Sequence, residues 1–366
     1  MSAHGSTPPR HLGDPAAEYE AATHGLAVFD RSHRTRLAVR GRAPGQMLKG
    51  VLTGVMPPAP REVAEGVWGG RATYHAVLTP KGRMISDLWA TLLGDETEAG
   101  YLLDVPAAGR AALLESFTKL LPPRFAAVDD ISERTGMITA VGPDAATALS
   151  SLALGAPALE ERGSRVEASE LGALAEGEWR AAGPPAGSLI VLRTAEVWPE
   201  AYSIIGPGSA VAALRESLVE AGARPAGEAV WTTLRVEAGS PAFGIDMDAD
   251  TIPTEAGVEN RAIDHAKGCY TGQEVIVRIR DRGHVNKKLM RLELGDAPTP
   301  ASGAELLAVD GSGKVVGRVT SAVESPKHGG VLALAYVARG HETVLLDGRE
   351  VAVPAAPADP RSAPAT

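Results

Sequence analysis

A single cysteine, Cys269, occurs in 366 residues. No internal disulfide, CxxC pair, zinc ribbon or four-cysteine cluster can therefore form within the chain. Aromatic residues are scarce too, at 4%, so Ala, Val and Leu must fill the core. No run of about 18 apolar residues occurs, and no membrane-spanning helix is expected. The opening MSAHGSTPPR lacks the apolar segment of a secretion signal, which makes the cytoplasm the expected compartment. HExxH, GxSxG and a GxGxxG after a strand are all missing. Of the nine histidines only His265 and His284 lie near Cys269 in sequence, so no metal site made by this chain alone is expected. Positive charge is in deficit: the net charge is -9, which excludes a nucleic-acid coat and a general membrane-surface binder.

What is present is ample apolar material, 44% of residues against 22% charged, enough for two or three globular domains. AAEYEAATHGLAVFD predicts a helix that stops at Gly25 and leads into a strand. TRLAVRG alternates like a strand, and APGQMLKGVLT reads as the helix after it. YHAVLTPKGRMISDLWATLLGDE predicts a hairpin turning at Pro80-Lys81-Gly82. AAGRAALLESFTKLL has helical spacing and ends at Pro122 and Pro123. GMITAVGPDAATALSSL and AYSIIGPGSAVAALRESLVEAGA each repeat a strand–glycine–helix theme. Such units mixed with hairpins predict α+β layers rather than a doubly wound sheet. From about Leu289 onward only short strand runs follow, which predicts a small all-β barrel or sandwich of roughly 70 residues. GSGKVVG lacks the glycine spacing of a phosphate loop and reads as a hairpin turn.

Cys269 lies in DHAKGCYTGQEVIVRIRDRGHVNKK. TGQEVIVRIR alternates like a strand, yet Thr271 and Glu274 match a capping box and Val275, Ile276 and Ile279 share a helical face. The helix, ending at Gly283, is the reading adopted. Such a helix puts Cys269 near its positive end, where a thiolate is favoured, with Lys267, Arg278, Arg280, Arg282 and His284 as further positive charges if the fold brings them close. By spacing alone a lone cysteine reads as small buried filler. The flanking glycines and lysine suit an exposed turn better. Arg278 to Lys288 reads equally as a charged helix face with a linker, or as a patch for an acidic ligand or partner. Upstream, LRVEAGSPAFGIDMDADTIPTEAGVENRAI collects Glu237, Asp246, Asp248, Asp250, Glu255 and Glu259. DMDAD is out of register for a calcium loop, and a solvated acidic loop is the plainer reading. Arg235 is expected to pair with a local acid such as Glu237 rather than face a ligand.

KGCYTGQE, Lys267 to Glu274, resembles the signature of the YgfZ-type folate-binding proteins. These are relatives of the glycine-cleavage T-protein that support iron–sulfur proteins. GLAVFDRSHRTRLAVRG, LTPKGRMISDL and LRVEAGSPAFGIDMDADTIPTEAG are similar to T-protein segments, and the final β segment resembles its barrel. The resemblance implies an α+β fold with two ferredoxin-like subdomains around a central folate-binding hole, plus a C-terminal β-barrel. It implies a folate-binding region at 13–285 and a barrel at 286–354, while composition alone reads 1–12 as a mobile tail and 355–366 as a disordered one. Tetrahydrofolate or a related folate is the implied cofactor. Glu255 matches the glutamate that hydrogen-bonds the pterin, a task suited to a carboxylate that accepts two N–H bonds. Lys267, Gly268, Tyr270, Gly272 and Gln273 are the other implied binding residues, with Cys269 and Asp87 as the reactive ones. The T-protein hairpin ends in paired aspartates; here the pair reads Ser86-Asp87. The first expectation is a folate-binding accessory factor for iron–sulfur enzymes or cluster-assembly proteins, with Cys269 as working thiol and transient iron ligand. The second is a tetrahydrofolate-dependent aminomethyl- or methyltransferase. The third is a folate-binding regulatory protein. A monomer is expected.

Overall fold

The computed structural model describes residues 7–152, 166–355 and 357–358. Residues 1–6 of the expected N-terminal tail, and 356 and 359–366 of the C-terminal one, lie outside the described residues, as does the whole stretch 153–165. The chain divides into two compact units: Met1–Gly50, Val55–Tyr74 and Leu88–Trp231 in the first, and Val51–Gly54, His75–Asp87 and Thr232–Thr366 in the second.

The first unit holds an eight-stranded sheet. Its spatial order is Arg224–Ala226, Ala27–Asp30, Thr135–Val141, Ala201–Pro207, Ile190–Thr194, Glu178–Ala182, Val67–Arg71 and Arg61–Ala64. Only the pair at the Arg224–Ala226 edge is parallel; the rest is antiparallel. Helix Gly208–Glu220 buries Val211, Leu214 and Leu218 against it, a spacing that keeps one face apolar. Their partners are small and β-branched, Ile138, Ala140 and Ile204 among them, as the shortage of aromatics requires. In strand Thr35–Arg40, Arg36 is fully buried. Its guanidinium donates to the carbonyls of Arg34 at 2.8 Å and Ser132 at 2.9 Å and to Thr135 Oγ1 at 2.8 Å. The N-terminal segment is tied down by hydrogen bonds: the amides of Leu12 and Gly13 donate to the buried Glu18, and the carbonyls of Pro9 and Arg10 accept from the amides of Glu228 and Ala229.

A five-stranded sheet runs in the order Thr73–Leu78, Met84–Leu92, Tyr101–Val105, Thr35–Arg40 and Ala127–Asp130. The expected hairpin supplies its first two strands, and its tip, His75–Asp87, belongs to the second unit.

The second unit is built on a six-stranded antiparallel sheet in the order Lys287–Gly295, Gly330–Ala338, Val315–Ser325, Glu305–Ala308, Thr343–Leu346 and Arg349–Ala352. The first and last of these strands approach each other again, so the sheet curls into an open barrel. Strand Gly330–Ala338 shows why its sequence is apolar throughout. Val331, Ala333, Ala335 and Val337 face one cluster, while Leu332, Leu334 and Tyr336 face another that includes Val236 and Leu289. GSGKVVG is the turn between Glu305–Ala308 and Val315–Ser325, closed by Ala308 N–H to the Lys314 carbonyl at 2.9 Å. The fold is thus mixed α+β with a C-terminal antiparallel barrel, as expected. Among the described residues no helix is long and apolar enough to cross a membrane.

Candidate functional site

The KGCYTGQE segment folds as a turn seated on the hairpin tip. The hairpin closes with Thr79 N–H to the Arg83 carbonyl at 2.8 Å and Gly82 N–H to the Thr79 carbonyl at 2.9 Å. Gly82 and Gly272 both have positive φ, 72° and 85°. A side chain at Gly272 would begin 2.6 Å from the Thr79 carbonyl oxygen and 3.3 Å from Gly82 Cα, and one at Gly82 would begin 2.9 Å from Val275 Cβ. Two glycines therefore let the hairpin and the start of helix Gln273–Arg282 pack backbone on backbone. Gly268, in contrast, has open space where a side chain would go.

The helix is present, and Gly283 ends it by donating to the Ile279 carbonyl at 3.2 Å. The capping box is not: Gly272 is the N-cap, in the left-handed region, with no side-chain cap. Thr271 stands one residue too early to cap, because the close approach to the hairpin demands glycine at the cap itself. Ile276 is fully buried and Glu274 exposed, as the helical pattern requires. Cys269 is exposed, four residues before the first helical residue, which overturns the buried-filler reading. Tyr270 beside it is buried, its hydroxyl pKa pushed up to about 12 by loss of solvent. Gln273 N–H closes the turn onto the Tyr270 carbonyl at 3.2 Å.

Lys267 points its charge elsewhere than at the thiol. Its Nζ donates to the Leu52 carbonyl at 2.6 Å and the Gly54 carbonyl at 3.0 Å. The Gly54 amide donates to His75 Nδ1 at 2.9 Å, and Thr53 Oγ1 donates to the Ala262 carbonyl at 2.6 Å. His75 is fully buried, and desolvation, then the Lys267 charge, lowers its pKa to about 3. The imidazole stays neutral, with Nδ1 as acceptor. Asp87 lies in strand Met84–Leu92, 7% exposed. Its neighbour Ser86, where the T-protein pattern has a carboxylate, is fully buried and donates to the Asp87 carbonyl at 2.8 Å.

Glu255 lies in a cleft of about 770 Å³ whose walls are the acidic stretch 245–255 and the barrel strand that begins at Val315. Asp87, Lys267, Gly268, Cys269, Tyr270, Gly272 and Gln273 do not line it. The acidic stretch is held by its own bonds: the Asp250 amide and Thr251 Oγ1 each donate to Asp248 Oδ1 at 2.9 Å, and Arg83 pairs with Asp250. Met84 N–H donates to the Thr251 carbonyl at 2.9 Å, joining the stretch to the hairpin. Glu255 sits in the short helix Pro253–Ala256, with its side chain 12% exposed. Burial raises its pKa, and Lys287, 3.9 Å away, opposes the rise. Lys287 also lies over the Tyr336 ring, 4.6 Å from its centre. Lys287 falls in the basic run Arg278 to Lys288, one reading of which is a ligand patch, whereas Tyr336 is not legible as a site residue, since its strand is apolar throughout and reads as barrel wall.

Arg235 pairs with Asp246, not Glu237. Residues two apart on helix Glu228–Glu237 point to different sides. Arg235 Nη1 lies 2.7 Å from Asp246 Oδ2, and Nη2 donates to Ser321 Oγ at 2.8 Å. Asp246 Oδ1 accepts from Thr320 at 2.6 Å and Ser321 at 2.7 Å, and the Tyr336 hydroxyl donates to the Asp246 carbonyl at 3.0 Å. This network fixes the cleft's inner wall to the barrel. Among the described residues no group of three or more His, Cys, Asp or Glu is placed to hold a metal ion.

Comparisons with known proteins follow the same outline. Residues 13–267 match the GCVT N-terminal domain, and residues 287–363 match the glycine cleavage T-protein C-terminal barrel domain. A protein named aminomethyltransferase from Rubrobacter xylanophilus is 30% identical over 321 residues, 88% of this chain and 78% of that protein. One of the same name from Corynebacterium jeikeium is 30% identical over 332 residues, 88% of this chain and 81% of its own. The solved structure of glycine cleavage system aminomethyltransferase T from Bartonella henselae shares the fold, with a TM-score of 0.70 at 21% identity over 92% of this chain and 86% of that one. The chain belongs to the glycine cleavage T-protein family.

Proposed function

We propose that this protein binds tetrahydrofolate, or a related folate, and transfers an aminomethyl or methyl group to it. The observation that carries the reading is Glu255: a carboxylate 12% exposed, lining a cleft of about 770 Å³, at the position the family pattern gives to the pterin ligand. The donor set fits the group. The carboxylate accepts paired N–H bonds from an amino-pyrimidinone edge, and Tyr336 and Lys287 offer a ring face and a cation nearby. Family membership and relatives named aminomethyltransferase support the same chemistry. Bound tetrahydrofolate supplies the amine that accepts the one-carbon unit. The family pattern gives that amine's proton to Asp87, which does not line the Glu255 cleft, with Ser86 in place of a second acid. Region 13–285 is taken as the folate-binding part and 286–354 as the barrel.

The test is calorimetric titration with tetrahydrofolate, followed by turnover with an amine methyl donor. Wild type should bind, and Glu255→Gln should bind at least tenfold more weakly. Because burial raises the Glu255 pKa, affinity should begin to fall, as pH drops, above the ordinary glutamate range, and the Gln variant should lack this dependence. Wild-type binding with no turnover would remove the transferase reading and leave folate binding.

One observation favours a second reading, the YgfZ-type accessory role in iron–sulfur enzyme upkeep. The lone thiol is exposed on a turn buttressed by Gly272 and Lys267. Its partners would be iron–sulfur enzymes or cluster-assembly proteins, with Cys269 as a transient iron ligand. Deletion in the host and rescue with wild type or Cys269→Ala decides it. The reading requires that only wild type restore iron–sulfur enzyme activity under oxidative stress.

A further inference from the structure

The second unit contains another cleft, of about 510 Å³, lined by neither Glu255 nor Asp87 nor any residue of the Lys267–Gln273 turn, and to which the basic run contributes Arg280, His284 and Lys288. It lies where helix Gln273–Arg282 gives way to the first barrel strand. Ile279, Val285, Met290, Val337 and Val353 give it apolar walls, and of these Val285 and Met290 are 6% and Val337 3% exposed. Lys288 and Arg339 stand at its rim, both exposed, and neither has an ion-pair partner among the described residues. Two of the other charged groups are already engaged: Arg280 by Asp281 at 2.6 Å, and Glu259 by His265 at 3.3 Å. Thr254 lines the cleft as well.

Exposed cations alone mean little on a protein surface. Here two of them line one cleft with an apolar floor, in a chain whose net charge is -9. The volume is that of an ordinary small-molecule site, in which apolar walls supply affinity and a few polar groups fix orientation. We propose that this cleft binds a small monocarboxylate with an apolar body. The carboxylate lies toward Lys288 and Arg339, and the body lies on the Val285–Met290–Val337 floor.

The probe is 4-phenylbutyrate, titrated calorimetrically into the full chain beside its neutral amide. The carboxylate should bind saturably and at least tenfold more tightly than the amide, since only it makes charge-assisted bonds. The double variant Lys288→Gln, Arg339→Gln should weaken the carboxylate at least tenfold, leave the amide unchanged and leave the thermal unfolding curve in place. Glu255→Gln should bind the probe as wild type does. Equal binding of acid and amide would overturn the proposal, as would indifference to the double variant or no saturable binding at millimolar concentration. Loss of binding in Glu255→Gln would move the probe to the other cleft. Tighter binding of an acidic hexapeptide, abolished by the same double variant, would replace the small acid with a protein segment.

Discussion

Gly272 and Gly268 both flank the lone cysteine, yet their physical duties differ. Gly272 has φ of 85° and meets the Thr79 carbonyl within 2.6 Å of where a side chain would start. Alanine there must both hold a left-handed backbone and displace the hairpin. Gly272→Ala should cost more than about 1 kcal/mol, whereas Gly268→Ala, with open space around it, should stay within about 0.5 kcal/mol. Urea unfolding of both variants checks this; equal effects would mean that the glycine-to-glycine contact does not hold the turn. The exposure of Cys269 is legible in the sequence from those neighbours, because a Lys-Gly-Cys run suits no core. The duty of Lys267 is not. Its acceptors, the Leu52 and Gly54 carbonyls, lie more than two hundred residues away in the chain, and a lysine next to a cysteine invites a local electrostatic explanation that the fold does not realise.

Elements whose apolar period is decisive are legible, and those fixed by a distant partner are not. Helix Gly208–Glu220 and the barrel strands follow directly from spacing, and TGQEVIVRIR resolves as a helix because Ile276 is buried while Glu274 and Arg278 are exposed. The start of that helix is misread from sequence, since a capping box is a local pattern and Gly272 answers a tertiary contact. The same holds for helix Glu228–Glu237. Its nearest acid in sequence to Arg235 is Glu237, but the helix turns that side chain toward Ser325, at 2.6 Å, while Arg235 reaches Asp246 at 2.7 Å. The Arg235 and Asp246 side chains are 4% and 0% exposed, so removing one charge strands the other in a low-dielectric wall. Arg235→Met should destabilise the protein by about 3–5 kcal/mol. Adding Asp246→Leu to it should recover part of that loss, since no unpaired charge then remains. Denaturation of the two variants measures both terms, and a single variant no worse than a surface change would show that the pair is open to water.

For the whole molecule, the acidic net charge hides a vulnerability carried by histidines. His75 is fully buried, and desolvation followed by the Lys267 charge lowers its pKa to about 3 from 6.5. His33, in the other unit, is lowered to about 3 by burial, with Arg31 and Arg34 adding to the shift. In the unfolded chain both groups take up a proton near pH 6.5, while the folded chain refuses it until about pH 3. The unfolded state therefore binds more protons between those values, and stability must fall as pH drops through that window. Above pH 6.5 their contribution is fully present. For His75 alone the slope approaches about 1.4 kcal/mol per pH unit. Urea midpoints at pH 8, 6.5, 5 and 4 should stay level over the first interval and then decline. Because each unit contains one such histidine, His75→Gln should flatten only part of the decline, and His33→Gln another part. A profile flat down to pH 4 in wild type would mean that the imidazoles are hydrated in the folded state. In that case the Lys267–Gly54–His75 chain of hydrogen bonds would not be what holds residues 51–54 beneath the cysteine turn.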